Sequence, residues 1–280
     1  MLKNYQIIEP HIPDIFLNLD YRENPYVVLL LEFIRKNDNA RLEISKKIIN
    51  GKSNQARLYI LFDDDYYSNY IKCLAFLKQL GMIPGSKLNY EEGLDYLNFI
   101  DIAKLRLLVI GLDLRENSNE SRIKIWLEFN NYPDLKNLLT NSNGQKYEED
   151  ILMTTNDFMV GVDFYLTNTF NTKLYLCYED FISNNRLQQS MQDNFSQTCV
   201  KAMKLSDSFY ISYKGDLRGK FLYFFSKDIK LMIDQLAIKI DSLDRHFTYF
   251  DHKPYIIAVF DKELEKNNIM EYNLYYLLQH

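Results

Sequence analysis

Apolar and polar residues alternate with period two through much of the chain, in runs that come in pairs around short polar turns. ARLEISKKI (40–48) and ARLYILF (56–62) flank NGKSN, whose Asn-Gly is a strong hairpin signal. AKLRLLVIGLDLR (103–115) and SRIKIWLEF (121–129) flank ENSNE; FMVGVDFYL (158–166) and TKLYLCY (172–178) flank TNTFN. SFYISY (208–213) and KFLYFFS (220–226) flank KGDLRG, and PYIIAVFDKELE (254–265) and IMEYNLYYLL (269–278) flank KNN. Helical periodicity fills the gaps between pairs. Residues 64–80 carry Tyr67, Tyr70, Ile71, Leu74 and Leu77 on one face; residues 180–203 carry Leu187, Met191, Phe195, Cys199 and Met203; residues 228–243 carry Ile229, Ile233, Leu236 and Ile240. All three stripes read as core-facing surfaces.

Ten strands in hairpins with helices between them predict an α+β fold: a closed antiparallel barrel inside a helical ring, in one domain spanning residues 1–280. Leu58, Ile60 and Phe62 share one face of their strand and Arg57 and Tyr59 the other. Ile123, Ile125 and Leu127 likewise oppose Arg122, Lys124, Trp126 and Glu128. Strands that are apolar outside and polar inside suit a barrel whose lumen binds something. An open α+β sheet is the alternative, because alternation by itself does not demand closure.

The composition narrows the function. A net charge of −5 argues against nucleic acid or an anionic membrane as the main partner, so an anion site would need locally gathered cations. No apolar run reaches the length of a membrane helix, and the first residues lack the charge and hydrophobic pattern of a signal peptide. Cys73, Cys177 and Cys199 have no metal-ligand spacing and read as buried free thiols of a cytoplasmic protein. His11, His246, His252 and His280 are too dispersed for a metal site. Asp63, Asp64 and Asp65 follow a strand and open a helix. Being consecutive rather than one helical turn apart, they read as helix capping and not as an aspartate-rich metal motif. The stretch NSNGQ (141–145) lacks the strand-to-helix context of a nucleotide loop.

Two long stretches, IGLDLRENSNESRIKIWLEFNNYP (110–133) and DKELEKNNIMEYNLYY (261–276), resemble the cyanobactin peptide prenyltransferases. VGVDFYL (160–166), and LEISKKI (42–48) followed by ARLYILF, add to the resemblance, which runs in order from about residue 9 to the end of the chain. It implies the ABBA fold, a ten-strand antiparallel barrel ringed by helices, called a PT barrel. It also implies transfer of an isoprenyl group from its diphosphate to a side chain of a ribosomally made, usually macrocyclic peptide. Mg2+ would assist, carried by the diphosphate. A catalytically silent, peptide-binding member of the family is the alternative.

By the resemblance, Arg57 and Lys124 match diphosphate-binding residues, and Tyr165, Tyr175, Tyr223 and Tyr275 match tyrosines that shield the allylic cation. Glu43 matches a glutamate placed to contact the acceptor and is the candidate general base. Phe209 aligns with a position whose size limits the isoprene pocket, which favours dimethylallyl over geranyl diphosphate. Trp126 and Glu128 are acceptor-side candidates. Glu128 and Asn273 stand where the family pattern has basic residues, and a second acid beside Glu43 would suit a guanidinium. The acceptor is left open among Tyr, Trp and Arg.

Overall fold

The computed structural model describes residues 4–16, 19–95, 101–115, 117–134, 154–213, 219–240, 242–249 and 251–278. The stretch NSNGQ and most of the turn KGDLRG lie outside these residues. Ten strands form one antiparallel sheet: β1 (Arg41–Ile49), β2 (Arg57–Phe62), β3 (Leu105–Asp113), β4 (Arg122–Phe129) and β5 (Phe158–Tyr165), then β6 (Thr169–Tyr178), β7 (Ser208–Tyr213), β8 (Lys220–Phe225), β9 (Ile256–Phe260) and β10 (Glu271–Leu278). Each pairs with its sequence neighbours, and β10 pairs back with β1 from Leu42 opposite Leu278 to Ile49 opposite Glu271. The sheet is therefore a closed barrel with every wall strand paired on both sides. The predicted Asn-Gly turn forms as expected: Asn50 (φ 49°) and Gly51 (φ 72°) both adopt the left-handed region between the paired Ile49 and Lys52.

The alternation decides which side chains meet. Leu58, Ile60, Ile123, Ile125 and Leu127 face outward into an apolar layer beneath the helices. Tyr59, Leu61, Val109, Trp126, Tyr175 and Tyr275 form a second cluster inside the lumen. Several helices cover the wall: α1 (Pro25–Lys36), α2 (Tyr66–Gly81), α3 (Asn185–Asn194), α4 (Gln197–Leu205), α5 (Ile229–Leu236) and α6 (Asp261–Glu265). Asn24 caps α1 by accepting from the backbone N–H groups of Tyr26 and Val27.

Four local expectations need correction. The buried stripe of α2 is Asn69, Cys73, Phe76, Leu77 and Leu80, whereas Tyr67 and Ile71 are exposed, so the helix is rotated from the face its large residues suggest. The stripe Leu187–Met203 is buried as expected, but its helix is broken: Phe195 turns extended and Ser196 caps a new start by accepting from Cys199 N–H. α5 ends at Leu236, where Ala237 enters the left-handed region, leaving Ile240 on a short strand. DKELE (261–265) is helix rather than the end of a strand.

The three aspartates sit at the β2–α2 junction, but Asp65 makes no side-chain cap. Asp63 instead pairs with Arg41 (2.9 Å) and Asp64 accepts from Asn39 (3.3 Å).

Candidate active site in the barrel lumen

Inward positions of successive strands divide the lumen along its axis into a cationic end, an aromatic belt and an acidic end. The division follows from register. Antiparallel pairing places the start of β2 beside the ends of β3 and β5 and the start of β4. Arg57, Asp113, Arg122, Lys124 and Asp163 therefore share one end, joined by Lys173 from β6.

At that end Asp163 Oδ2 accepts from Lys173 (2.5 Å) and Arg122 (3.1 Å), and Asp113 Oδ2 accepts from Arg122 (3.2 Å). Arg115 reaches Asp113 Oδ1 at 2.6 Å, which makes this pair at the hairpin end one edge of a larger network. Burial pushes both aspartates up, but the surrounding cations outweigh it and hold them below the usual carboxylate range: Lys124 and Arg57 lead at Asp113, Lys173 and Lys124 at Asp163. Two features remain unsatisfied. Among the described residues, Arg57, 6% exposed, has no hydrogen-bond partner at Nε or Nη2. Lys124 lies 4.0 Å from Asp113, and burial, with repulsion from Arg122, pushes its ammonium well below the ordinary lysine value. A buried guanidinium with two idle donors beside a buried lysine that stands 4.0 Å from its nearest carboxylate is arranged to receive an anion.

The belt closes on itself. Tyr59 stacks on Trp126 (4.9 Å, 23°), Trp126 meets Tyr175 edge-on (6.1 Å), Tyr175 meets Tyr223 (5.5 Å), Tyr223 meets Tyr275 (6.1 Å), and Tyr275 returns to Tyr59 (6.4 Å). Two glycines make room. Gly111 pairs with Tyr59, and a Cβ on it would lie 2.3 Å from that ring; Gly161 pairs with Trp126, and a Cβ there would lie 2.5 Å from the indole. Trp126 Nε1 is buried without a hydrogen-bond partner among the described residues.

Beyond the belt is a cavity of about 70 Å3, lined among others by Glu43, Trp126, Tyr175, Tyr210, Tyr255 and Tyr275. Its lining is mostly apolar. Glu43 is 5% exposed, accepts from the Tyr255 hydroxyl, and is raised to about 7, because burial outweighs that hydrogen bond and the fields of Arg41 and Arg57. Glu128 is also raised by burial, against the pull of Arg106 at 3.3 Å and a 2.6 Å hydrogen bond from Tyr210.

Most of the sequence-derived residues thus face one lumen, but in a different arrangement. Arg57 and Lys124 share the cationic end, and Glu43 and Glu128 the acidic end. Tyr175, Tyr223 and Tyr275 are in the belt. Tyr165 is not: it stands at the cationic end, where Arg122 donates to its hydroxyl (3.0 Å). Trp126 lines the acidic-end cavity and completes the belt. Phe209 faces the wrong way for an isoprene pocket. It packs outside the barrel against Tyr178 (4.9 Å) and Phe181 (5.3 Å), and its successor Tyr210 faces the lumen. In a strand, a shift of one residue exchanges the faces. Asn273 faces inward with Oδ1 unpartnered. Sequence reasoning missed Tyr59, Tyr255, Asp163 and Lys173 as parts of the site. Tyr59 was within reach, since it alternates with Arg57.

Among the described residues, no group of three or more His, Cys, Asp and Glu is arranged to hold a metal ion, and no helix is long and apolar enough to cross a membrane. No curated protein matches the sequence. Among solved structures, 6-dimethylallyltryptophan synthase from Micromonospora olivasterospora, in complex with DMASPP and Trp, superposes with a TM-score of 0.50 at 15% identity, covering 84% of this chain and 81% of that one. A 6-dimethylallyl tryptophan synthase (TM-score 0.48, 14% identity, 84% and 80% covered) and the NotF prenyltransferase (0.48, 10%, 91% and 89%) also align. The first of these likenesses shows the shared fold, the ABBA barrel of aromatic prenyltransferases. Residues 13–278 match the sequence pattern described as "Family of unknown function (DUF5838)", and the chain belongs to that family.

Proposed function

We propose that the chain is a peptide prenyltransferase that moves a dimethylallyl group from its diphosphate to a side chain of a ribosomally made peptide. The observation that carries this reading is the buried Arg57 guanidinium with Nε and Nη2 idle, set at one end of an aromatic-lined lumen whose other end holds Glu43. Arg57 and Lys124 bind the diphosphate, and their positive charge stabilises it as the allylic C–O bond breaks and it leaves with the bonding pair. The belt of Tyr59, Trp126, Tyr175, Tyr223 and Tyr275 keeps water from the allylic cation and attracts it through the ring faces, each contributing about 0.5–2 kcal/mol. The acceptor attacks from the acidic end, and Glu43 takes the proton it loses. A carboxyl near 7 is matched to that task at neutral pH.

Mg2+ carried by the diphosphate would neutralise part of its charge, beside Arg57 and Lys124. Asp113 and Asp163 are committed to arginine and lysine partners, so the lumen's cationic end fits a metal-bearing diphosphate better than a bare ion. Tyr210, in the place first expected of Phe209, forms the cavity wall that a chain longer than dimethylallyl would meet.

The test is to incubate the protein with Mg2+, dimethylallyl or geranyl diphosphate, and cyclic and linear peptides offering Tyr, Trp or Arg, and to read product masses. Addition of one five-carbon unit to a peptide is expected, and fragmentation identifies the acceptor. Addition only to free amino acids would replace the peptide with a small aromatic acceptor. No addition by folded protein that still binds peptide would favour the silent binding relative.

A further inference from the structure

Glu43 is nearly sealed from solvent, so its carboxylate needs a fixed partner inside the lumen to be aimed at an acceptor. Tyr255 supplies one. It immediately precedes β9 and is pinned to both neighbouring strands. Its N–H donates to Tyr275 O (3.0 Å), and its carbonyl accepts from Ser226 N–H (3.1 Å). Its ring rests edge-on against Phe225 (6.3 Å, 68°). From that fixed base its hydroxyl donates to Glu43 Oε2, and both side chains line the same cavity. Glu43 is 5% exposed, and the Tyr255 hydroxyl that meets it is buried with it, although the tyrosine as a whole is only half-buried.

We propose that Tyr255 is the positioning residue of Glu43. This rests on the prenyl-transfer reading above. In the resting state the Tyr255 O–H donates to the carboxylate, which fixes one oxygen and leaves the other for the acceptor. When the acceptor's proton passes to that free oxygen, Tyr255 keeps its place and still holds the carboxyl. The charged and titratable groups facing Glu43 are Arg41 on its own strand, Arg57 and Tyr59 on β2, Tyr275 on β10, and Tyr255 itself. Of these, Tyr255 alone has a hydrogen bond to the carboxylate among the described residues.

The test uses the full chain with 13C-labelled glutamate carboxyls, and Glu43→Gln identifies the Glu43 resonance. A hydrogen bond to a charged group favours its ionised form, so Tyr255→Phe is expected to move the Glu43 midpoint up from about 7 by about one pH unit. Turnover at pH 7 then falls about fivefold through the smaller ionised fraction, with KM for the diphosphate unchanged. Circular dichroism checks that the variant folds. An unmoved midpoint in folded Tyr255→Phe overturns the proposal, whatever the turnover. The titration needs no substrate, so a moved midpoint in a protein that transfers no isoprenyl group would sink the reading beneath it while leaving the Tyr255–Glu43 pairing intact.

Discussion

The two ends of the lumen shift the same functional group in opposite directions. Asp113 and Asp163 are buried and stay ionised, held below the carboxylate range by Arg57, Arg115, Arg122, Lys124 and Lys173. Glu43 and Glu128 are as deeply buried, yet both are pushed up, each with a tyrosine as hydrogen-bond partner. Burial acts alike on all four. The number of cations that register brings to each end decides the outcome. A barrel can thus be polarised along its axis by alternating positions on strands that each look unremarkable alone, separating a cation-rich end from one where carboxyls hold their protons more readily.

The contrast can be broken from either side. Replacing Glu43 with Gln removes the proposed base and is expected to lower turnover by about 10²–10⁴-fold, leaving diphosphate binding intact. The same change should stabilise the fold. Burial raises the folded Glu43 from 4.5 to about 7, so its favourable contribution is complete below about pH 4.5 and is lost as pH rises through 7. Above pH 7 the neutral Gln should gain up to about 3 kcal/mol over wild type, which thermal melts from pH 4 to 8 would reveal as a widening gap. Replacing Arg57 with Ala should cost about 10²–10³-fold in turnover and, unlike the Glu43 change, weaken diphosphate binding in calorimetry.

Inside and outside of the wall give the next test. Phe209→Ala deletes a ring from the outer layer and should cost about 3–5 kcal/mol of stability without altering which diphosphate is used. Tyr210→Ala, one residue on, should cost less stability and improve use of geranyl diphosphate. The reverse pattern in urea melts and competition assays would restore Phe209 as the gate. The smallest effect is expected at Gly161. An added Cβ presses on Trp126, and Gly161→Ala should cost about 1–3 kcal/mol and shift the emission of the chain's one tryptophan.

Much of this was legible in the sequence where the alternation has contrast. In ARLYILF and SRIKIWLEF, charged and aliphatic residues take turns, so the inward phase of Arg57, Lys124 and Glu128 could be read directly. SDSFYISY offers large side chains at Phe209, Tyr210 and Ile211 in succession, and carries little phase. Only the pairing of Phe209 with Tyr178 and Phe224 fixes which way it faces. The same holds for α2, where tyrosines and aliphatics occur on several faces and the buried stripe includes Asn69. Tyr255 was hidden for another reason. It precedes its strand, and its role comes from a contact with a residue 212 positions away. The belt is likewise non-local, depending on Gly111 and Gly161 yielding space to rings on neighbouring strands.

The central claim is that both ends of the lumen and the belt between them form one site for an isoprenyl diphosphate. Trp126 reports on it directly, being the only tryptophan and a member of the belt. Titrating the protein with the unreactive dimethylallyl thiolodiphosphate should change its fluorescence saturably, in wild type and in Glu43→Gln alike, and not in Arg57→Ala. No saturable change in the wild type, or one that survives Arg57→Ala at undiminished affinity, would contradict the account.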